Sequence, residues 1–338
     1  MPKSDVSTGP TPGFWRDGAA LLKKSPLRFA LGVAISAAAL ALAFRSVSLG
    51  DIQKVASAVP ARAALLYILA ATSSLILRGL RWSVLLRAAG PVSRGVVFAV
   101  NCAGQMANNL LPARAGDLFR ATSLGRIGIK TPTALATVFV ERVLDAGFLV
   151  LISAIAIARR AAVPNWLAGG ARVFVVIALL GLAFAVVTPH YEGHLLKLLG
   201  RIASERWRTR LEPLIGQFVL GLRSLSSAGR VSGFLLLTIA IWSLDGLGVF
   251  VLGRGLGLAL TPSAVILLLT GLGLSSAVPA APGNVGVFQL VGVTILPPFG
   301  VPKTGALVLV ITLQVLILTN LLLWGTASLW YLGKKGAR

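Results

Sequence analysis

Residues 131–158 read TPTALATVFVERVLDAGFLVLISAIAIA. Apart from Glu141, Arg142 and Asp145 the stretch is apolar or small, and it exceeds the roughly 17–25 residues that cross a hydrocarbon core as a helix. An ionised side chain at the centre of a span costs about 2.5–3.5 kcal/mol on insertion scales. Three such groups cannot face lipid, so they must face the interior of a helix bundle. Glu141 and Asp145 are four apart and share a helix face, and Arg142 can reach Asp145 at three. An acid–base–acid group nearly neutralises itself. It reads as a structural clamp, as part of a headgroup site or as a proton relay. If the span begins near residue 139, it reads instead as an interfacial group.

Working outward, further apolar runs lie at 29–44, 63–77, 95–111, 173–189, 231–253, 261–278, 285–296 and 305–332. Mean hydropathy is +0.86. Of the 338 residues 56% are apolar and 12% charged, where a soluble domain is closer to half apolar and a quarter charged. The expectation is an all-α, polytopic transmembrane bundle of about 6–8 spans. Residues 1–27 are expected as a polar cytoplasmic tail, 28–333 as the membrane domain and 334–338 as a basic tail. The single cysteine, Cys102, excludes an internal disulfide and a cysteine-based metal cage.

A net charge of +22 fits either nucleic-acid binding or the excess of Lys and Arg in short cytoplasmic loops. Distribution decides between them. With the N-terminus inside and 95–111 dipping in and returning, twenty-three basic residues are cytoplasmic, eight are outside, and Arg142 is in the membrane. No nucleic-acid partner is expected. The same count places both termini in the cytoplasm of an inner-membrane protein, and makes 261–300 a hairpin entered from outside and broken at Pro279 and Pro282. Residues 190–230 form a basic amphipathic stretch, read as helices resting on the anionic cytoplasmic leaflet or as a partner surface.

Residues 104–117 align without gaps on 271–284, pairing Pro112 with Pro279 and Gly116 with Gly283. The offset is 167, and three crossings separate the copies, so they would form an inverted repeat of two re-entrant or broken helices. Interrupted helices in corresponding halves are a transporter pattern.

Three further groups of residues bear on chemistry. Arg78 and Arg81 share a helix face and can fork onto a phosphodiester; an ordinary positive flank with interfacial Trp82 is the more economical reading. Asn108, Asn109, Pro112, Arg114, Gly116, Asp117 and Arg120 follow an apolar run. They fit either an anion site at a helix start or a capped junction. Asp245 lies mid-span with no basic neighbour in its own helix. His190 and His194 are spaced like metal ligands but lack a Glu and a third ligand, so no metal is expected. No hydrolase triad, Walker loop or dinucleotide fingerprint occurs, and no cofactor is expected.

These residues carry a resemblance. Arg78-x-x-Arg81-Trp82, Asn109-Leu-Leu-Pro112-x-Arg114-x-Gly116-Asp117-x-x-Arg120, Glu141-Arg142-x-x-Asp145 and Pro279-x-x-Pro282-Gly283-x-x-Gly286 stand in the order seen in the lysylphosphatidylglycerol synthase transmembrane-region family, the flippase-like membrane proteins. The chain resembles that family over about 25–332. The resemblance implies a bundle that binds or moves lipids with anionic, phosphate-containing headgroups, of glycerophospholipid or polyprenyl-phosphate type. The implied substrate residues are Arg78, Arg81, Asn108, Asn109, Arg114, Asp117, Arg120, Glu141, Arg142, Asp145, Pro279, Pro282, Gly283, Asn284, Gly286 and Gln289. Gln289 stands where the family often has Glu. The aminoacyl-transferase domain of the name-giving synthases is missing from these residues, so the expectation is a translocator rather than an enzyme. The alternative is an intramembrane lipid-modifying enzyme or its membrane subunit.

Overall fold

The computed structural model describes residues 26–45, 59–87, 89–111, 114–158, 187–194, 204–225, 227–276 and 280–336, with isolated positions at 50, 176, 179–181, 183–184 and 196–197. Among them the secondary structure is helical and no strand occurs. The α-helices are α1 (Pro26–Phe44), α2 (Ala61–Leu86), α3 (Arg94–Leu110), α4 (Ala115–Gly125), α5 (Thr131–Ala158), α6 (Glu205–Leu222), α7 (Ala228–Gly255), α8 (Pro262–Ser275), α9 (Val287–Ile295) and α10 (Lys303–Gly336). Most of the apolar run expected at 173–189 lies outside the described residues, as do Pro112 and Pro279.

Three of these helices, α2, α7 and α10, are long and apolar enough to cross a bilayer. Helix α5 is 28 residues, about 42 Å at 1.5 Å per residue. Its charges sit at its middle, so every 18-residue stretch of it contains Glu141, Arg142 and Asp145. Such a helix crosses apolar surroundings only with its charges turned onto neighbours.

Glycines set how closely the helices approach. Helix α2 runs antiparallel along α7: Tyr67 meets Gly248 near one end, and Arg81 meets Thr238 and Phe234 near the other. Helix α3 ends at Leu110 and packs back against α4, which begins at Ala115, and their backbones touch where Gly104 faces Gly116. The run at 95–111 is therefore one arm of a helical hairpin. Helix α8 turns back likewise into α9, with Gly271 against Val291 and Ile295. The helices are interrupted between Leu110 and Ala115 and between Ser275 and Val287, while the expected break points Pro112 and Pro279 lie outside the described residues. In the second, the turn at Gly283 (φ 73°) and Gly286 (φ 89°) uses the left-handed region that glycine enters without a Cβ penalty. Ser36 of α1 braces it, its hydroxyl accepting from the Ala281 N–H at 2.8 Å.

The hairpins then pack crosswise. Helix α3 lies on α10, where Phe98 and Trp324 meet edge to face at 5.8 Å. Helix α8 lies on α5, where Ser153 and Thr270 hydroxyls are 2.6 Å apart. One apolar cluster gathers Trp82, Leu85, Val97, Leu124, Val140 and Phe234. A second gathers Tyr67, Val249, Leu252, Leu268, Leu309 and Val310.

Helix α6 corrects the reading of 190–230 in part. Its apolar face is not given wholly to the leaflet: Phe218 packs on Phe139, Gly221 abuts Ala136, and Val219 and Leu222 are buried. Trp207, Leu214 and Leu220 remain exposed.

A methyl at Gly116 would run into the Gly104 carbonyl oxygen and lie 2.6 Å from the Asn108 nitrogen, both backbone atoms. Gly116→Ala is expected to destabilise by about 1–3 kcal/mol, the usual cost of overpacking. A methyl at Gly233 meets nothing within 4 Å, so Gly233→Ala is expected to be neutral or to stabilise by up to about 1 kcal/mol. Thermal unfolding of the two variants in detergent compares them.

Candidate functional site

The charges of α5 are held from three neighbouring helices. From α2, Arg81 forks onto Asp145, donating through Nη1 at 2.6 Å and Nη2 at 2.7 Å. Its Nη2 also reaches Glu141 at 3.0 Å, and Nη1 reaches the Thr238 hydroxyl of α7 at 2.9 Å. From α4, Arg120 donates to the other Glu141 oxygen at 2.6 Å. Glu141 is thus shared by two guanidiniums. Both arginines are 0% exposed, and each lies over an aromatic face: Arg120 over Trp82 at 4.0 Å and Arg81 over Phe234 at 4.8 Å. Such stacking compensates part of the hydration these cations lose.

Arg142 departs from the expected pairing. Its predicted partner three residues on, Asp145, is taken by Arg81, and Arg142 instead forks onto Asp117 of α4 at 2.7 and 3.2 Å. Asn108 completes that corner, donating to Asp117 at 3.0 Å and accepting the Asp117 N–H at 3.1 Å. Asp117 therefore bridges hairpin and α5 rather than capping α4.

At the α7 side, Asp245 finds the partner that its own helix lacks. Arg78 Nη2 donates to it at 2.6 Å, and Arg78 lies 5.2 Å from the Trp242 ring. The Trp242 indole N–H in turn donates to Asp145 at 3.2 Å. The connected group holds four arginines (Arg78, Arg81, Arg120, Arg142) and four acids (Asp117, Glu141, Asp145, Asp245), and is neutral. Three of these arginines, Arg78, Arg81 and Arg120, belong to the group expected as cytoplasmic flank, and the structure ties them to carboxylates instead.

Close to this group, the two breaks meet. Arg114, in the left-handed region at φ 52°, opens α4 and reaches across to Ser276 at the end of α8. Its Nε donates to the Ser276 carbonyl at 3.2 Å and its Nη2 to the hydroxyl. A methyl on Gly283 would come within 4.0 Å of the Asn109 carbonyl oxygen. Gln314 of α10 donates to the Gly283 carbonyl and accepts from Gln289 at 2.5 Å. Gln289 also accepts the Gly286 N–H at 2.7 Å, which gives it a neutral bridging role. Arg114, Asn109, Ser276, Gly283 and Asn284 are all half-buried, and Pro282 is exposed. No carboxylate lies within ion-pair distance of Arg114 among the described residues.

Ser276, Gln314, Thr238 and Trp242 were not singled out from the sequence, because a polar residue in an apolar run shows its role only once its neighbours are known. The Arg78–Asp245 pairing was not legible either, since Asp245 has no basic neighbour in its own helix. The separation of the pair is 167, the offset of the repeat.

Residues 29–325 match the family model described as the lysylphosphatidylglycerol synthase TM region. No curated protein and no solved structure matches the chain.

Replacing Glu141 by Ala leaves two fully buried guanidiniums without their shared anion. Breaking a buried pair in this way costs about 3–5 kcal/mol, so Glu141→Ala is expected to lower the yield of monodisperse protein sharply. Arg208→Ala, which removes the exposed pairs with Glu205 and Glu212, is expected to cost about 0–1 kcal/mol. Thermal unfolding and size-exclusion profiles in one detergent separate the two.

Proposed function

We propose, for a chain that belongs to the lysylphosphatidylglycerol synthase TM region family, that it takes a lipid by its anionic, phosphate-containing headgroup between the two helix breaks and carries it across the cytoplasmic membrane. The family makes it a membrane protein of lipid handling. The finer reading rests on one observation: Arg114 stands where the breaks converge and donates to Ser276, with no carboxylate at ion-pair distance among the described residues. Backbone freed by a broken helix cannot face lipid and must line protein or water. The start of α4 puts the positive end of a helix dipole on the same side as Arg114, which favours an anion.

The enclosed part of the neutral group behind it, around Arg81, Arg120 and Glu141, is structural in this reading. Arg81 and Arg120 are spent on carboxylates and fully enclosed, so the phosphate falls to Arg114, with Asn109 and Asn284 nearby. The four acids of the group are each tied to an arginine. None is placed as a free general acid or base, which supports transport over lipid modification. The basic asymmetry supports both termini in the cytoplasm.

The test uses phosphatidylcholine vesicles containing the purified protein and a trace of fluorescent phosphatidylglycerol, with dithionite bleaching of the outer leaflet. Wild-type protein is expected to make inner-leaflet probe accessible. Arg114→Gln loses a charge-assisted contact and is expected to slow this by about tenfold or more, with unfolding temperature little changed. An inactive wild type, or an Arg114→Gln protein that moves probe at the wild-type rate, contradicts the proposal.

A further inference from the structure

Adding the repeat offset, 167, to the bounds of α2 gives 228–253, where α7 is Ala228–Gly255; adding it to those of α3 gives 261–277, where α8 is Pro262–Ser275. The contacts repeat with the helices. Gly79 packs on Phe98, and Gly246 packs on Val265. Arg81 sits over Phe234, and Gly248 sits against Tyr67. In both cases each residue of one contact is related to a residue of the other by the same 167 positions. Helix α3 lies on α10 as α8 lies on α5, so the exchange of halves also carries one crosswise contact into the other.

Arg78 and Asp245 are themselves 167 apart and touch each other. A residue meets its own equivalent only on the axis that relates the halves. Since α2 and α7 are antiparallel, that axis is perpendicular to both helices. For membrane-crossing helices it lies in the bilayer plane at mid-depth, where inverted-repeat transporters place their substrate sites. The pair also differs from its neighbours in exposure. Arg81 and Glu141 side chains are 0% and 2% exposed, whereas Arg78 and Asp245 are 18% and 20% exposed. A partly uncovered ion pair at mid-depth cannot face hydrocarbon and must face a polar path.

We propose that Arg78 and Asp245 are the midpoint station of the lipid path, where the headgroup phosphate displaces Asp245 from the Arg78 guanidinium and Asp245 reclaims it as the lipid leaves. This rests on the translocation reading above and adds a second binding place to it. The geometry suits such an exchange. Arg78 lies against the Trp242 ring, and Trp242 is anchored to Asp145, so the guanidinium keeps its position when Asp245 lets go. Because the pair lies on the axis, lipid arriving from either leaflet meets the same station.

The same vesicle assay with fluorescent phosphatidylglycerol tests this with three variants. Arg78→Gln removes the phosphate ligand, and Asp245→Asn removes the group that displaces it. Each is expected to slow transit by about tenfold or more while remaining monodisperse, since neither leaves a fully enclosed charge unpaired. The exchange variant, Arg78→Asp with Asp245→Arg, restores an ion pair on the axis and is expected to regain most of the lost rate. If wild type is inactive, the translocation reading fails and takes the station with it. If wild type is active and either single variant matches it, or the exchange variant is monodisperse but inactive, the station alone is overturned. Should the exchange variant not fold, the two single variants decide.

Discussion

Glu141 accepts from two guanidiniums that are completely enclosed, and most of the molecule's arrangement depends on that carboxylate. An arginine cannot shed its charge, so Arg81 and Arg120 are stable in apolar surroundings only while an anion stays within reach of both. This ties α2, α4 and α5 at one depth. Thr238 and Phe234 of α7 then close the remaining side of Arg81. Arg81 Nε, Arg120 Nε and Arg120 Nη1 are buried without a hydrogen bond, which increases the dependence on the carboxylates that remain.

With α4 fixed by Arg120 and by the Asp117–Arg142 fork, the first break has little freedom. Gly104 and Gly116 bring α3 and α4 into backbone contact, so the chain reverses between Leu110 and Ala115. That turn delivers Arg114 to Ser276 and so to the second break. The second hairpin is built without charges: Gln289, Gln314 and the Gly286 N–H hold it through neutral hydrogen bonds, and apolar packing surrounds it. The two hairpins thus divide their tasks. One anchors the bundle electrostatically, and the other is held by neutral hydrogen bonds around the glycine turn at Gly283 and Gly286.

The all-helical class and the charged centre of α5 were legible because apolar length and charge isolation are one-dimensional signals. Depth was not legible. Arg78, Arg81 and Arg120 look like loop-flanking charge in a sequence, since a flank and a buried pair differ only in what stands opposite. The Arg142–Asp145 pairing failed for a related reason. Spacing on one helix permits it, but Arg81 reaches both Asp145 oxygens, and Asp117 offers Arg142 two more. The amphipathic face of α6 was read correctly as a face, yet a face does not say whether lipid or α5 covers it. Asp245 shows the same limit, since nothing in its own helix named Arg78 as its partner.

The central claim is that the two breaks line one water-reachable site that takes an anionic headgroup. Single cysteines at Asn109 and Asn284, in a chain with Cys102 replaced by Ala, test it most directly through their reaction with a small, membrane-impermeant thiol reagent in phosphatidylcholine vesicles. The account predicts that both react, and that short-chain phosphatidylglycerol slows both reactions while short-chain phosphatidylcholine does not. If both sites stay inert while an exposed control such as Gly229→Cys reacts, or if the two short-chain lipids protect equally, the account is contradicted.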